Sequence, residues 1–374
     1  MGICLGYCIS NLKNLTMNLG WIYMKIAILT IQSINYGNRL QNYAIQKVLT
    51  DFGHNAVSLK RDPGFRGPLL SKVRSAKRSL YFSLHRSGKL GSFKRFDLEN
   101  IRFSDERVSK EYTTAELNSC YDCFIIGSDQ VWNPDFDFNS ELEYLPMVSP
   151  EKKIAYAASF GVSEIVSQKD LTATLLNGIR QISVRESAGA GIVQALTGRE
   201  VPVVLDPTLL LDNSDWSNVS RTPRSLSMGR PYIFKYMLGD DANNARIEEI
   251  AHSRNLDVID IMDPSLPIGP SEFVWLVSHS ELVCTDSFHA SVFALLHHKP
   301  LAIFERVSAD ADMSSRFDTL CNNFGLVGHR SSESGFCIDS IFAANWDDID
   351  ARMIALRKES KLWLEDALNG VAHG

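Results

Sequence analysis

Five short stretches of this sequence gather side chains able to do chemistry. Ser33-Ile-Asn-Tyr-Gly-Asn-Arg-Leu-Gln-Asn-Tyr-Ala44 crosses from a strand pattern into a helix pattern, with Asn38 and Arg39 beside Gly37. A glycine there allows a ligand to approach the backbone, and the free N–H groups of a helix start suit an anion. A capped helix start with no ligand accounts for the same residues. Ile126-Gly-Ser-Asp-Gln-Val-Trp-Asn133 sets Ser128, Asp129, Gln130 and Trp132 just past a buried strand pattern. A carboxylate in that place can act as general acid or base, and a Ser-Asp pair serves equally well as a helix cap.

Ser183-Val-Arg-Glu186 ends a short strand on Arg185. A guanidinium fork matches a carboxylate or phosphate; a structural pair with Glu186 is the equal alternative. Cys284-Thr-Asp-Ser-Phe-His-Ala-Ser291 runs a strand into Asp286 and Ser287, then puts His289 in the first turn of a helix. Imidazole is the side chain best suited to moving protons near neutrality. Ser314-Ser-Arg-Phe317 offers Arg316 at a further helix start, as an anion contact or a surface residue.

The elements that must hold these residues alternate between strand and helix. Strand patterns run over 25–31, 56–59, 122–126, 153–157, 182–184 and 202–205. Between them lie a helical stripe through Leu40, Ala44 and Val48 and helices around 164–177 and 187–196. Asp206-Pro207 and the polar stretch 212–230 read as a linker. A second run follows, with strands at 231–237, 256–261, 281–285 and 300–304 and helices near 242–253, 271–279, 287–297 and 314–324. Residues 348–368 read as a long amphipathic helix. This alternation predicts an α/β fold with mainly parallel sheets. Two halves predict a cleft between them, with ligands at the carboxyl ends of the strands.

Composition agrees with two domains. The chain has 374 residues, 45% hydrophobic and 22% charged. Those values exclude a disordered chain, a fibrous protein and a multi-pass membrane protein. A net charge of −6 argues against a nucleic-acid partner. Seven cysteines form no disulfide framework and predict reduced thiols in a cytoplasmic protein. Cys120-x-x-Cys123 lacks a second pair, so no metal site is expected. P-loop, Gly-x-Gly-x-x-Gly and Gly-x-Ser-x-Gly motifs are absent. Charge is uneven: residues 60–96 carry a net +10, leaving −16 for the rest. Residues 1–23 contain no apolar run of about 18 residues, and the clean strand after Met24 marks them as an upstream extension. A weak interfacial anchor is the alternative.

Taken in order, the motifs resemble those of the polysaccharide pyruvyl transferase family. The resemblance rests on Asn35-Tyr-Gly-Asn38 with Leu40-Gln41 and Tyr43-Ala44, and on Gly127-Ser-Asp-Gln-Val-Trp132. It continues through Ser183-Val-Arg-Glu186, Asp206-Pro207-Thr208 and Thr285-Asp-Ser-Phe-His-Ala290, spanning roughly residues 25–325. It implies two Rossmann-like domains similar to glycosyltransferase type B enzymes, here 24–211 on the acceptor side and 212–345 on the donor side. Residues 346–374 would form a C-terminal helix packing back on the first domain. The implied reaction moves pyruvate from phosphoenolpyruvate onto a sugar of a capsular or exopolysaccharide unit as a ketal, releasing phosphate. Phosphoenolpyruvate is then a donor substrate, and no cofactor is expected.

By resemblance, His289 and Arg185 match donor-site positions, and Asp129 is the candidate for the acceptor proton. The remaining candidates for binding substrate are Asn38, Arg39, Ser128, Gln130, Trp132, Asp286, Ser287 and Arg316. One departure stands out: many members carry Arg-Leu-His where this chain has Ser287-Phe-His289. Arg316 or Arg39 would have to supply the missing cation, or the donor is a different molecule. A nucleotide-sugar glycosyltransferase of the same architecture is the rival reading, and a non-catalytic glycan-binding protein a third. The expected partner is a glycan or lipid-linked oligosaccharide acceptor. The basic segment 60–96 would dock peripherally on an anionic inner-membrane surface, at about 1 kcal/mol per basic residue, or form a solvated basic helix.

Overall fold

Nearly every residue of Lys25–Leu29 (β1) is buried, as a strand covered on both faces requires. It pairs in parallel with Asn55–Arg61 (β2) on one side and Cys123–Ile126 (β4) on the other. Phe103–Val108 (β3), Lys153–Ala158 (β5) and Gln181–Val184 (β6) complete a parallel sheet in the order β3-β2-β1-β4-β5-β6. Tyr232–Tyr236 (β7), Asp257–Asp260 (β8), Leu282–Thr285 (β9) and Leu301–Ile303 (β10) form a second parallel sheet, β10-β9-β7-β8. The chain is thus an α/β protein of two Rossmann-like units. The computed structural model describes residues 23–61, 87–108, 114–136, 140–226, 229–239, 241–306 and 314–373. The expected extension up to residue 22 and most of the basic segment, with the docking surface or solvated helix expected there, lie outside those residues.

Helices accompany the strands of the first sheet: Tyr36–Asp51 (α1), Ser87–Asn100 (α2), Thr114–Cys120 (α3) and Lys169–Asn177 (α4) lie between them in the chain, and Ser187–Thr197 (α5) follows the last. Asn213–Val219 (α6) links the halves. The second unit carries Asn244–Arg254 (α7), Pro270–Ser278 (α8), Phe288–Leu296 (α9), Ser314–Phe324 (α10), Ile338–Phe342 (α11) and Trp346–Ala372 (α12). Strand order reverses between β1 and β4 and again between β7 and β9. Such reversals open a crevice at the carboxyl edge, where ligands bind.

One apolar core runs through both units. Tyr36, at the start of α1, stacks on Phe273 of α8 at 5.0 Å and meets Tyr236 of β7 edge-on at 5.4 Å. Its hydroxyl donates to Ile268 O at 3.2 Å. Trp216 of α6 packs edge-on against Phe293 of α9 at 4.6 Å. These fully buried rings set the two sheets against each other, each worth about 2–3 kcal/mol of apolar burial. The last helix, α12, crosses back to the first sheet's side. Ser360 Oγ accepts from Leu205 N at 3.0 Å, and Arg357 donates to Leu209 O and Leu211 O at 2.7 and 3.0 Å.

The structure departs from the sequence expectations in places. Residues 202–205 form no strand; Val203 makes one isolated bridge to Val184, because Pro202 has no N–H to offer a ladder. The stretch 212–230 is not all linker. Asp212 and Asp215 close a capping box over α6, which buries Trp216 and Val219. The helix expected from 164 begins at Lys169. Helix α2 and strand β3 were not anticipated, since the apolar pair Phe93 and Phe96 of α2 sits amid dense positive charge.

Candidate active site

The chain leaves β4 through Gly127 and Ser128 into Asp129, at the first reversal point. Asp129 holds a φ of 76°, a left-handed conformation that aspartate tolerates better than most residues. Its carbonyl accepts from Ser159 N at 3.0 Å, which pins the turn to the end of β5. Its side chain is fixed too: Gln130 N donates to Oδ1 at 2.9 Å, and Asn38 Nδ2 donates to Oδ2. Asn38 sits in the first turn of α1, capped by Asn35, and also contacts Ser33 Oγ.

Arg185 lies one residue past β6 and is almost wholly buried, with Phe288 under its guanidinium at 4.4 Å. Its Nη1 donates to Asp206 Oδ2 at 2.8 Å. Asp129 and Glu186 carboxylates stand at 3.8 Å from its other nitrogens, within ion-pair range but beyond a hydrogen bond. Burial works against the charge, but Asp206, Asp129 and Glu186 outweigh it and raise the guanidinium pKa. Asp206, fully enclosed, also accepts from Ser128 Oγ at 2.7 Å and from Thr208 N and Oγ1 at 3.0 and 2.6 Å. Burial alone would push its carboxyl up; His289, Arg185 and Thr208 hold it well below the usual carboxylate range.

From the second unit, His289 stands in the first turn of α9, with Nε2 3.6 Å from Asp206 Oδ2. On its other side it meets α1. A Cβ added at Gly37 would fall 2.1 Å from His289 Nδ1, so only glycine lets the two helix starts close on each other. Arg316 is buried on α10 and shares its surroundings with Arg185. Burial first, then the like charge of Arg185, push it down to about 10, against Glu186 and Asp129. It therefore stays cationic at neutral pH. Arg185 Nε and Nη2, Arg316 Nε and His289 Nε2 are buried without a hydrogen-bond partner among the described residues. The arginine N–H groups left this way are costly unless a ligand completes them.

The structure brings Ser128, Asp129, Arg185, His289 and Arg316 together with Asn38. Asp286 and Ser287 stand at the second reversal point, but Asp286 is engaged structurally. It accepts from Leu238 N and Gly239 N at 2.7 and 2.8 Å and pairs with Arg306 at 2.9 Å. Gln130 accepts from Asn133 Nδ2 at 2.6 Å, and Trp132 stacks on Tyr144 at 5.3 Å, both beneath the turn. Arg39 does not join the cluster. It faces α2 and pairs with Asp97 at 2.7 Å, leaving Arg316 as the guanidinium next to Arg185. Sequence reasoning passed over Asp206 as a site residue. The sequence offers it only as a linker start and a motif position, because its side-chain reach to Arg185 and Ser128 depends on tertiary structure.

Other features do not compete with this cluster. A groove of about 760 Å³ lies between α2, residues 221–225 and α8, lined by none of these residues. Two of its arginines are already paired, Arg95 with Glu272 and Arg221 with Glu99. Among the described residues, no group of three His, Cys, Asp or Glu side chains converges as a metal centre would. No helix among them is long and apolar enough to cross a membrane.

Two Rossmann-like units thus set buried cations beside an imidazole at their carboxyl edges. The family model for polysaccharide pyruvyl transferase matches residues 35–306, and the chain belongs to that family. Solved structures similar to it include a glycosyltransferase from Rickettsia africae, at 13% identity and a TM-score of 0.47 over 94% of this chain and 99% of that one. A UDP-N-acetylglucosamine 2-epimerase from Rickettsia bellii aligns at 10% identity and a TM-score of 0.46, over 93% and 96% of the two chains. Comparison with curated proteins gives no match.

Proposed function

We propose that this transferase moves pyruvate from phosphoenolpyruvate onto two hydroxyls of a sugar in a capsular or exopolysaccharide unit. The observation that carries this reading is the pair of buried guanidiniums, Arg185 and Arg316, with unpartnered N–H groups beside His289. Phosphoenolpyruvate offers a carboxylate and a phosphate to such a pair. His289 delivers a proton to C3 of the enol, and Asp129 takes one from the attacking hydroxyl at C2. The second hydroxyl then displaces phosphate, which carries away its proton. One methyl, two C–O bonds and one free phosphate result.

Arg316 takes the place of the cation that many relatives carry at the position of Ser287. Phe288 under Arg185 serves as its platform. The acceptor in this reading is a glycan or a lipid-linked oligosaccharide. The protein works in the cytoplasm, peripherally on the inner membrane face, with residues 60–96 as the contact. Reversing four of those charges should weaken both liposome binding and activity on a lipid-linked acceptor; no change in either rejects the docking. A ligand at 100 times its Kd stabilises the native state by about 2.7 kcal/mol. Phosphoenolpyruvate should therefore raise the thermal midpoint and UDP-sugars should not. The reverse pattern favours a nucleotide-sugar glycosyltransferase.

A further inference from the structure

The Asp206 carboxylate touches both units of the cluster. Its Oδ2 receives Ser128 Oγ and Arg185 Nη1 at 2.7 and 2.8 Å and lies 3.6 Å from His289 Nε2. Its Oδ1 is occupied by Thr208. It is fully enclosed, at 1% exposure, so no substrate can reach it directly.

We propose that Asp206 is the positioning residue of this site, orienting Arg185 and His289 together so that donor binding and proton delivery are coupled across the two domains. The geometry divides the labour of the imidazole. Nε2 is buried and faces an anion, so in the neutral ring the proton belongs on Nε2. Nδ1, against the α1 turn at Gly37, is then the nitrogen free to exchange protons with substrate. The same carboxylate holds one arm of Arg185, leaving Nε and Nη2 for an anion. Removing the charge should therefore disturb donor affinity and turnover at once.

This inference rests on the proposed reaction for its kinetic part, but its spectroscopic part does not. Nitrogen-15 NMR of the wild-type imidazole should show the neutral ring protonated at Nε2. Asp206→Asn, nearly isosteric, should shift that signature toward Nδ1 or a mixture. With phosphoenolpyruvate and acceptor, kcat per folded site should fall about 100-fold and the donor KM should rise. Ser360→Ala is the structural control, since it removes the hydrogen bond to Leu205 N next to Asp206 and the contact with the Tyr156 hydroxyl, without touching Asp206, Arg185 or His289. It should lower the thermal midpoint and leave kcat unchanged. A wild-type ring protonated at Nδ1 overturns the inference, even if Asp206→Asn does not fold. So does an Asp206→Asn protein with unchanged tautomer and kinetics. Absence of phosphate release by the wild type would instead sink the proposed reaction and leave the tautomer result to decide this point.

Discussion

Gly37→Ala tests the closeness of the two helix starts most sharply. The added methyl would lie 2.1 Å from His289 Nδ1, 2.5 Å from its Cγ and 2.6 Å from its Cε1. Ordinary contact begins at 3.4 Å, so the ring must retreat by about 1.3 Å. Its room to retreat is small, with Asp206 behind Nε2 at 3.6 Å and Phe288 edge-on at 5.5 Å. A misplacement of about 1 Å costs a reacting group about 100-fold, or about 2.7 kcal/mol of barrier. Alanine is the better helix former by about 1 kcal/mol, which offsets part of the about 1–3 kcal/mol cost of overpacking, so stability should fall by about 2 kcal/mol at most. Gly91→Ala on α2, with open space around its Cβ, is the control and should leave turnover unchanged. The assay is phosphate release from phosphoenolpyruvate, alongside thermal unfolding. A Gly37→Ala protein within threefold of wild-type kcat/KM would refute the contact and the role given to His289 Nδ1.

Arg316→Met should raise the donor KM by about 30-fold, the cost of about 2 kcal/mol for removing one charged partner. Arg39→Met should leave that KM unchanged and lower stability by about 1–3 kcal/mol, because it strands the half-buried Asp97. Equal effects on KM would contradict the separation of the two arginines. His297 gives the pH dependence: burial, then Lys299, His279 and His298, push it from 6.5 down to about 4. Between those values the unfolded chain binds more protons, so folding stability falls as pH drops from 6.5 to 4, by about 3 kcal/mol at most. His297→Phe should flatten that part of the curve in denaturant titrations; an unchanged slope rejects the assignment.

The fold was legible where apolar runs were clean. Lys25–Leu29, Cys123–Ile126 and Leu282–Thr285 announce themselves as strands buried on both faces. The site was legible in part for the same reason, since Asp129, Arg185 and His289 follow such strands directly. Asp206 was not, because its partners lie 78, 21 and 83 positions away and only packing brings them together. Arg39 and Arg316 looked equivalent as cations. A helix turn points one at Asp97 and a different helix places the other beside Arg185. Helix α2 was hidden by its charge, although Phe93 and Phe96 bury one face of it. Near 202–205 a β-branched pair suggested a strand that Pro202 prevents from pairing beyond one bridge.

The central claim is that the cluster handles phosphoenolpyruvate and builds a ketal. Purified protein incubated with phosphoenolpyruvate and a panel of capsular and exopolysaccharide oligosaccharides should release one phosphate per product. Mass spectrometry should show each product heavier by one pyruvate ketal, and His289→Ala should abolish both signals. No phosphate release across the panel, with no donor binding by calorimetry, would contradict the account.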